Sequence, residues 1–477
     1  MPCPVRPQPL KNKASLFFTF FVKRNSWLSG LFERSYVMKT GKVTLPGIEI
    51  VIASELPLVK KIMIDEVDKY PKSNLLHTVL EPLLGESIFT SNGAQWRKQR
   101  DLMNPAFAYA RVGAVFGLMQ QACDDMLARF ATIKKNDTIR DMDVEMTFIT
   151  ADIIFRTIMT TKLEAEAAEK ITLAFTHFQH QSLRLTMLKV FRIPSFLCGF
   201  KERQRQRAAK EIRETLEHLI RPRYDEISRG DKTQWNDILS TLLNTIDPDT
   251  NARFSFKEIV DQVAMLFLAG HETSASALSW TFYLLAEYPE IQQQAFQEIQ
   301  NTVGGTKTGN LKTDNLKTDN PKTDCPKIKK EDIKKLTLVT AIFRESLRLY
   351  PPVGFMVRET QQQVTLRDKI IAKGKTVIVS PWLIHRNKNN WVKPHEFNPQ
   401  RFLQSHEIPL KSKYLPFGMG QRLCVGASFA MQEAVLIIAS LLQHYRIEKV
   451  ATFEPKPVGR LTIRSENGIN VHIVNRF

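Results

Sequence analysis

Apolar residues recur at the three-to-four-residue spacing of an amphipathic helix along most of the chain. The longest unbroken pattern starts at a capping-box sequence, Ser255-Phe-Lys-Glu258, and continues to Tyr288, where Pro289 interrupts it. At 1.5 Å per residue, a helix of this length spans roughly 45 Å, which is enough to cross a whole domain. Residues 112–229 are also predicted to be mostly helical, with two polar breaks.

Strand patterns are short and few. The stretch from Lys42 to Ser54 predicts a hairpin around a Pro46-Gly47 turn. Residues 353–358 and 376–379 predict two further strands, and the residues after Leu442 predict a small β region at the C-terminus. The pattern as a whole predicts a mainly α chain of the α+β type.

Two segments depart from these patterns. Residues 304–327 repeat a Lys-Thr-Asp unit, and polar repetitive sequence cannot bury a core, so a disordered surface insertion is predicted there. Near the N-terminus, the apolar run Leu16–Val22 is flanked by basic residues but is far shorter than the roughly 20 residues of a spanning helix. This run predicts a packed segment or a shallow membrane contact, and no transmembrane anchor.

Composition narrows the functional classes. The 477 residues contain 43% hydrophobic and 24% charged side chains, which is typical of a globular protein, and carry a net charge of +18. Such a charge suits an anionic membrane surface, an acidic protein partner or simply a solvated basic surface. Zinc-finger spacing and aromatic-basic RNA-binding signatures are absent, so no nucleic-acid partner is predicted. The five scattered cysteines disfavour a disulfide framework and suit a reducing cytoplasm.

One of these cysteines, Cys424, lies in a loop flanked by Gly420 and Gly426 that precedes an apolar helical run. Backbone N–H groups in such a loop, together with the positive end of the following helix, favour a thiolate. A thiolate held in this way is suited to act as a nucleophile or as a metal ligand. The alternative is a structural cysteine at the start of a helix, the commoner fate of a lone cysteine.

Other side chains carry candidate chemistry. Trp96 and Arg100 are four residues apart on one predicted helix face, so both can donate to an anion, unless they are a half-buried Trp beside a surface Arg. In the middle of the long helix, Gly270 would allow a ligand to approach the backbone. Glu272 and Thr273 follow it and could pass protons or order water, or could be an exposed acid and a helix-bonded hydroxyl.

Phe417, Gly420, Arg422, Cys424 and Gly426 match the haem-binding signature Phe-x-x-Gly-x-Arg-x-Cys-x-Gly, and on these residues the chain resembles the cytochromes P450. Three further motifs follow the family's order, so the resemblance covers roughly residues 40 to 477. They are the Trp-x-x-x-Arg pair, the Ala-Gly-x-Glu-Thr motif of the long helix, and the Glu-x-x-Arg motif with its second Arg.

The resemblance implies a role for each matching position. Cys424 is expected to ligate the iron, and Glu272 with Thr273 to form the oxygen-activating motif. The family uses Glu-x-x-Arg and a further Arg to fix the region behind the haem, and here Gln400 replaces the commoner acid before that Arg. The residues expected to contact haem are Trp96, Arg100, Arg358, Phe417, Gly420, Arg422 and Gly426, and those with the fixing role are Glu345, Arg348 and Arg401.

The resemblance also implies a fold and a cofactor. It predicts the cytochrome P450 fold, a large helical domain with a small β-rich region. Haem b would lie between the long central helix and the Cys424 loop. Residues 42–477 are expected to form this single domain, including the 304–327 insertion, and residues 1–41 an N-terminal extension. A bacterial-type soluble member is expected, in the cytoplasm, with peripheral membrane association left open.

The implied function is a monooxygenase that inserts one oxygen atom of O2 into a lipophilic substrate such as a fatty acid or terpenoid. No dinucleotide-binding fingerprint is present, so NAD(P)H would act indirectly, through a separate ferredoxin or flavoprotein. Arg97, Lys98, Lys411 and Lys413 are basic positions where such a donor could dock. The alternatives are a haem-thiolate peroxygenase or hydroperoxide isomerase, a non-catalytic haem sensor, and a basic binding protein without a cofactor.

Overall fold

The computed structural model describes most of the chain. Two predicted features, the apolar run Leu16–Val22 and nearly all of the 304–327 insertion, lie outside the described residues. The ranges described are 3–11, 26–45, 48–133, 137–160, 178, 199–231, 235–247, 250–304, 325–403 and 413–477.

Helices make up most of these ranges, which confirms the mainly α class. They are numbered here in chain order as α1 (Leu56–Lys60), α2 (Asn74–Leu84), α3 (Gly93–Met103), α4 (Tyr109–Ala114), α5 (Phe116–Ala131), α6 (Met142–Met159), α7 (Gly199–Ser228), α8 (Ile238–Asn244), α9 (Phe256–Glu287), α10 (Pro289–Val303), α11 (Lys330–Ile333), α12 (Thr337–Leu349), α13 (Pro381–Ile384) and α14 (Ala427–His444).

The long predicted helix is α9, and the core is built around it. Its predicted capping box is present, because Ser255 Oγ accepts from the Glu258 N–H and Glu258 Oε2 accepts from the Ser255 N–H. Pro289 starts the next helix. Proline suits this position because the first N–H groups of a helix have no partner within the helix, and proline has no N–H. The helix packs against α6, α7, α12 and strand residues near the C-terminus, so that it is buried along almost its whole length.

Short strands form small sheets at the edges of this helical body. They are β1 (Thr40–Leu45), β2 (Ile48–Ala53), β3 (Ile139–Asp141), β4 (Met356–Glu359), β5 (Val364–Leu366), β6 (Lys369–Ile371), β7 (Thr376–Val379), β8 (Tyr445–Lys449), β9 (Pro457–Gly459), β10 (Ile463–Ser465) and β11 (Asn470–Asn475).

The predicted hairpin is the start of the largest of these sheets, which has the order β1-β2-β7-β4. Strands β1 and β2 pair antiparallel from Thr40–Ala53 to Leu45–Ile48, whereas β2 and β7 run parallel. A three-stranded sheet, β3-β11-β8, and the pairs β9-β10 and β5-β6 complete the described strands. Strand β4 carries Arg358, and strand β10 carries Arg464.

Two local sequence patterns differ from the structure. Pro82 is a turn signal in the sequence, but it lies inside α2, which is followed by Gly85. The apolar pattern from Glu331 to Leu349 predicts one helix, but the structure has two, α11 and α12, separated at residues 334–336. The strand Ile139–Asp141, which pairs with β11, was not predicted because three residues carry too little pattern to distinguish a strand.

Residues assigned to an N-terminal extension make specific contacts with the rest of the protein. The Trp27 ring lies against Gly354 and Gly459, where any side chain would overlap it. Its Nε1 donates to the Arg460 carbonyl at 3.3 Å, and its ring meets Phe355 edge-to-face with the centroids 4.7 Å apart. A domain boundary at residue 42 stays a prediction, and these contacts favour an earlier one.

Within the described ranges, no helix combines the length and the apolar character that crossing a bilayer would require.

We expect Trp27→Ala to lower the free energy of unfolding by about 2 kcal/mol, less than the ~3–5 kcal/mol typical of a fully buried Trp, because Trp27 is half-buried. Urea unfolding followed by circular dichroism would measure the change. Trp235→Ala is the matched control, since Trp235 is 43% exposed. Equal effects of the two substitutions would show that the Trp27 contacts contribute nothing to the stability of the domain.

Candidate active site

The Cys424 loop joins a short 3-10 turn, Gly420–Arg422, to the start of α14. Gly420 has a φ of +70°, and a Cβ there would lie 2.5 Å from the Met63 carbonyl oxygen, so only glycine fits. The Cys424 N–H donates to the Phe417 carbonyl at 2.9 Å and closes the loop. The loop is therefore constrained on the N-terminal side of the cysteine, as the predicted thiolate ligand would require.

Opposing effects act on the Cys424 thiol. Burial raises its pKa, while a hydrogen bond from the Gly426 N–H and the charge of Arg100 lower it. Cys424 as a whole residue is exposed. The protein atoms around its sulfur are nevertheless dense enough to disfavour the charged thiolate. Burial outweighs the two favourable groups, so ionisation of this thiol calls for one more positive partner. A coordinated metal ion is such a partner, because it deprotonates a thiol outright.

Four cationic side chains meet beside this loop: Lys72, Arg100, Arg358 and Arg422. Burial lowers the pKa of Lys72 well below its usual range, and the charges of Arg422, Arg358 and Arg100 lower it further. Burial and then Arg422 lower the pKa of Arg358 to about 10. Among the described residues, no carboxylate pairs with Lys72 or Arg358. We call this group the cation cluster.

Hydrogen bonds hold the cation cluster in place while leaving donors unused. Lys72 Nζ donates to the carbonyls of Ile88 and Ser91 at 2.6 and 3.1 Å. Arg100 Nη1 donates to the Leu423 carbonyl at 2.7 Å, next to Cys424. The buried Nε atoms of Arg358 and Arg422 have no hydrogen-bond partner among the described residues. Because unpaired buried donors and uncompensated charge are both costly, the cluster fits an anionic group with more than one acceptor.

The predicted Trp96 and Arg100 both reach this region from α3. Trp96 is buried, and the Arg422 guanidinium lies over its ring, 4.9 Å from the centroid. Sequence reasoning missed Lys72, which a β-bridge to Arg358 brings into the cluster. No local pattern could have found it, because Lys72 and Arg358 are 286 positions apart and Lys72 lies in an irregular segment.

On α9, one face stands out from its surroundings. Ala269, Gly270 and Thr273 retain accessible surface, whereas the helix is otherwise buried from Ile259 to Ala286. Residues at i, i+1 and i+4 share one side of a helix, so this side borders solvent-accessible space. Thr273 Oγ1 donates to the Ala269 carbonyl at 2.6 Å, which leaves the hydroxyl oxygen as an acceptor toward that space.

Gly270 was expected to let a ligand approach the helix backbone. The structure instead shows a role for it in helix packing. A Cβ on Gly270 would lie 2.8 Å from the Ile154 side chain on α6. The glycine therefore lets two long helices approach each other closely.

Glu272 faces a different partner from the one expected of a proton relay. Arg464 donates to both its oxygens, with Nη2 2.6 Å from Oε2 and Nε 3.2 Å from Oε1, and Thr462 Oγ1 donates at 2.5 Å. Arg464 also pairs with Asp143 at 2.6 Å. Burial alone would raise the pKa of Glu272, but Arg464 overcomes it and lowers the pKa to about 2. A relay through Glu272 stays a prediction, and it would require this carboxylate to leave Arg464.

The structure brings together the three residues predicted to fix the region behind the haem. Glu345 and Arg348 are fully buried and paired, with Nε 2.7 Å from Oε2, and Arg401 Nε lies 3.3 Å from Glu345 Oε1. Arg348 also donates to the carbonyls of His385, Pro394 and Glu396, and Arg401 to those of Val392 and Lys393. The neighbouring Gln400 side chain plays no part in these bonds.

The basic positions expected to dock an electron donor are not equivalent. Arg97 is exposed and pairs with Asp68 at 3.0 Å, and Lys98 is half-buried. Lys413 is buried, donates to the Asn390 carbonyl at 3.1 Å and lies 4.9 Å from the centre of the Trp391 ring. Lys413 is therefore unsuited to docking, and Lys411 lies outside the described residues.

Comparisons with known proteins show which family the chain resembles. A sequence model of the family described as "Cytochrome P450" matches residues 32–470. The chain is 28% identical to "11-oxo-beta-amyrin 30-oxidase" from Glycyrrhiza uralensis, over 88% of this chain and 77% of that protein. It is also 28% identical to "Cyclooctatin synthase" from Streptomyces melanosporofaciens, over 80% of this chain and 78% of the other.

One solved structure has the same fold. The haem domain titled "Crystal structure of cytochrome P450DA heme domain" superposes with a TM-score of 0.80 at 22% identity, covering 99% of each chain. The predicted fold is thereby confirmed.

We expect Arg464→Leu to destabilise the protein by about 3–5 kcal/mol, because it leaves the buried Glu272 carboxylate without its partner. Adding Glu272→Gln should recover part of the loss. In the wild type, this stabilisation is complete above pH 4.5, the ordinary pKa, and is lost as the pH falls toward 2. Denaturant unfolding at several pH values would measure both effects.

Arg446→Leu is the control for this experiment, because the Arg446–Glu448 pair is exposed and should contribute at most about 1 kcal/mol. A loss no larger than that in Arg464→Leu would contradict a buried, charged Glu272.

Proposed function

The chain belongs to the cytochrome P450 family, and we propose that it is a monooxygenase that inserts one oxygen atom of O2 into a lipophilic substrate. The observation that carries this proposal is the cation cluster beside Cys424. Its unpaired donors and excess positive charge fit the propionates of haem, which is the cofactor that membership of the family implies.

We assign the groups that would hold haem on this basis. Cys424 would ligate the iron, and Lys72, Arg358 and Arg422 would receive the propionates, with Trp96 and Arg100 supporting them. Phe417, Gly420 and Gly426 would shape the ligand loop, and Gly426 would direct its N–H to the sulfur. When bound, a thiolate-ligated haem supplies O2 activation and C–H oxidation.

On the side of the proposed haem site opposite Cys424, we propose that Thr273 takes part in proton transfer. Its hydroxyl proton is donated to Ala269, so Thr273 Oγ1 can accept a hydrogen bond from a group in the space that this helix face borders. A fixed acceptor orders a proton donor without consuming a proton itself. Glu272 would then serve mainly to fix the helix through Arg464.

We propose a lipophilic substrate because the candidate pocket segments are apolar. Residues 75–84, 265–269 and 353–356 contribute mostly Leu, Phe, Val and Met side chains. The names of the two relatives, an amyrin oxidase and a cyclooctatin synthase, favour a terpenoid or a similar lipophile. A ferredoxin or flavoprotein is proposed as the electron donor, because +18 of net charge favours an acidic partner.

We expect the reduced, carbon-monoxide-treated protein to show the red-shifted Soret band of thiolate-ligated haem, and Cys424→Ala to lose it. Absorption spectra of protein supplied with haem would measure this. Cys123→Ala is the matched control, because Cys123 is buried on α5, away from the loop, and its removal should leave the band unchanged. A colourless wild-type protein, or a band that survives Cys424→Ala, would refute the assignment.

We also expect O2 consumption with a lipophile such as lauric acid to require NAD(P)H and an added ferredoxin with its reductase. Oxidation by hydroperoxide alone, without those proteins, would favour the peroxygenase alternative.

Arg97→Glu with Lys98→Glu should slow reduction by an acidic ferredoxin on the order of tenfold at low salt, because electrostatic steering speeds the encounter of the two proteins. Lys373→Glu, on an exposed loop, is the control and should have no effect.

A further inference from the structure

Trp27 occupies a slot between two segments that are far apart in the sequence. Its ring lies against both Gly354 and Gly459, and a Cβ on either glycine would overlap the ring. Neither glycine has a positive φ, so their backbone conformations are open to other residues. At Gly459 the three atoms nearest to such a Cβ all belong to Trp27. The space that the indole ring needs therefore accounts for this glycine.

Directional contacts fix the orientation of the ring in the slot. Trp27 Nε1 donates to the Arg460 carbonyl at 3.3 Å, and the ring meets Phe355 edge-to-face with the centroids 4.7 Å apart. The Gly459 N–H donates to Ser26 Oγ at 2.9 Å. The side chains of two consecutive residues thus hold the turn after β9 and the loop before β4 at the same time.

The loop before β4 leads directly to the proposed haem site. The Met356 side chain lies 3.8 Å from the position of a Cβ on Gly418, in the segment that precedes Cys424. Two residues after Met356, Arg358 is a member of the cation cluster. A displacement of residues 353–355 would therefore be transmitted to side chains on the Cys424 side of the site.

The turn after β9 leads to the opposite side, along α9. Thr462 Oγ1 and Arg464 bind the Glu272 carboxylate. The Ile463 carbonyl accepts from two side chains of α9, at 2.7 and 2.9 Å. These bonds fix the turn to the residue directly before Thr273. Each of the two segments that the Trp27 ring contacts is thus connected to a different side of the proposed haem site.

A backbone hydrogen bond joins the two segments at one point, where the Ile463 N–H donates to the Pro352 carbonyl at 3.0 Å. A hydrogen bond at one point permits the segments to pivot about it, and the Trp27 ring at a second point opposes that motion. Burial of apolar area favours the binding of a lipophile. The segments carry apolar side chains that retain accessible surface, namely Val353, Phe355 and Leu461.

We propose that Trp27 is a positioning residue that determines which carbon of a bound lipophile lies between Cys424 and Thr273. The ring holds the loop before β4 at a fixed distance from the turn after β9, and so sets the place of the apolar side chains that would contact the substrate. Trp27 lies outside residues 32–470, which the family's sequence model matches, so this role is not part of the family's sequence pattern. The role rests on the proposed monooxygenase function.

Gly459→Ala tests the slot without any measurement of activity. In the wild type the added methyl group should overlap the ring and lower the Tm, whereas in Trp27→Ala it should cause no further loss. Differential scanning fluorimetry of the two single variants and the double variant would measure this. Additive losses of Tm would show that the ring does not occupy the slot, and would overturn the proposal.

Hydrogen exchange tests whether the ring holds both segments. In haem-loaded Trp27→Ala, amide exchange followed by mass spectrometry should be faster than in the wild type in residues 353–356 and in residues 459–464, because the second point of attachment is lost. Trp27→Phe should restore slow exchange. Faster exchange confined to one of the two segments would contradict the role proposed for Trp27.

Turnover tests the specificity. With NADPH, ferredoxin, its reductase and lauric acid, mass spectrometry of the hydroxylated products would give the ratio of oxidised carbons. Trp27→Ala should change this ratio on the order of tenfold, the low end of the effect of one apolar group in a pocket. It should raise KM while kcat stays within about twofold, because the contact that is lost binds the substrate and does not react with it. Trp27→Phe should restore the wild-type ratio.

Phe130→Leu is the matched control. Phe130 is buried and packs edge-to-face on Tyr445, with the centroids 5.9 Å apart, on α5 and β8 and outside both segments. The substitution should lower the Tm through lost packing but leave the product ratio and KM unchanged. An equal change of product ratio in Phe130→Leu and Trp27→Ala would mean that general destabilisation is the cause, and would overturn the proposal.

The failure of this inference is distinguishable from the failure of the proposed function. Trp27→Ala with the products and KM of the wild type would refute the inference alone. A wild type without thiolate-haem absorption or O2 consumption would refute the proposed function, and with it the role of Trp27 in specificity. If Trp27→Ala does not fold, Trp27→Leu takes its place in each comparison, and the same results are expected.

Discussion

A single helix that crosses the domain constrains the whole site. Each residue along α9 turns the side chain by about 100°, so three consecutive residues point to three different environments. Glu272 points to Arg464 of β10, Thr273 to solvent-accessible space, and Ser274 to α14. Because α9 is buried along nearly its whole length, it cannot rotate to exchange these partners, and the chemistry at each residue follows from its angular position.

The Cys424 loop depends on α9 indirectly, through the helices packed between them. α14 starts directly after the loop and packs against both α9 and α5. The same helix thus begins directly after the loop that carries the sulfur. A shift of α14 along its axis would therefore move the proposed metal ligand relative to α9.

Much of the fold was predictable, and the reasons are local. The capping box at Ser255 and the proline at 289 set the ends of α9 by hydrogen bonding that a sequence displays directly. Local sequence patterns also predicted the hairpin of β1 and β2. They placed Trp96 and Arg100 on one helix, as the structure does. Pro82 misled because tertiary packing keeps it inside a helix that local preference would end there.

The parts of the site that sequence reasoning missed are those made by long-range contacts. Lys72 joins the cation cluster through a bridge to Arg358, and Arg464 captures Glu272 from the far end of the chain. Neither contact leaves a pattern in the neighbouring residues. The purpose of Gly270 was misjudged for the same reason, because Ile154 of α6 could not be placed against it without the tertiary structure.

The cation cluster has a consequence for how the protein reaches its mature state. Its four members come from residues 72, 100, 358 and 422, so they converge only when nearly the whole chain has been synthesised. Their mutual repulsion opposes closure of that corner, so under the proposed assignment of haem propionates to the cluster, the binding free energy of the cofactor would become folding free energy. Yield in a host cell should therefore follow porphyrin supply, and starved cells should accumulate chains that proteases remove.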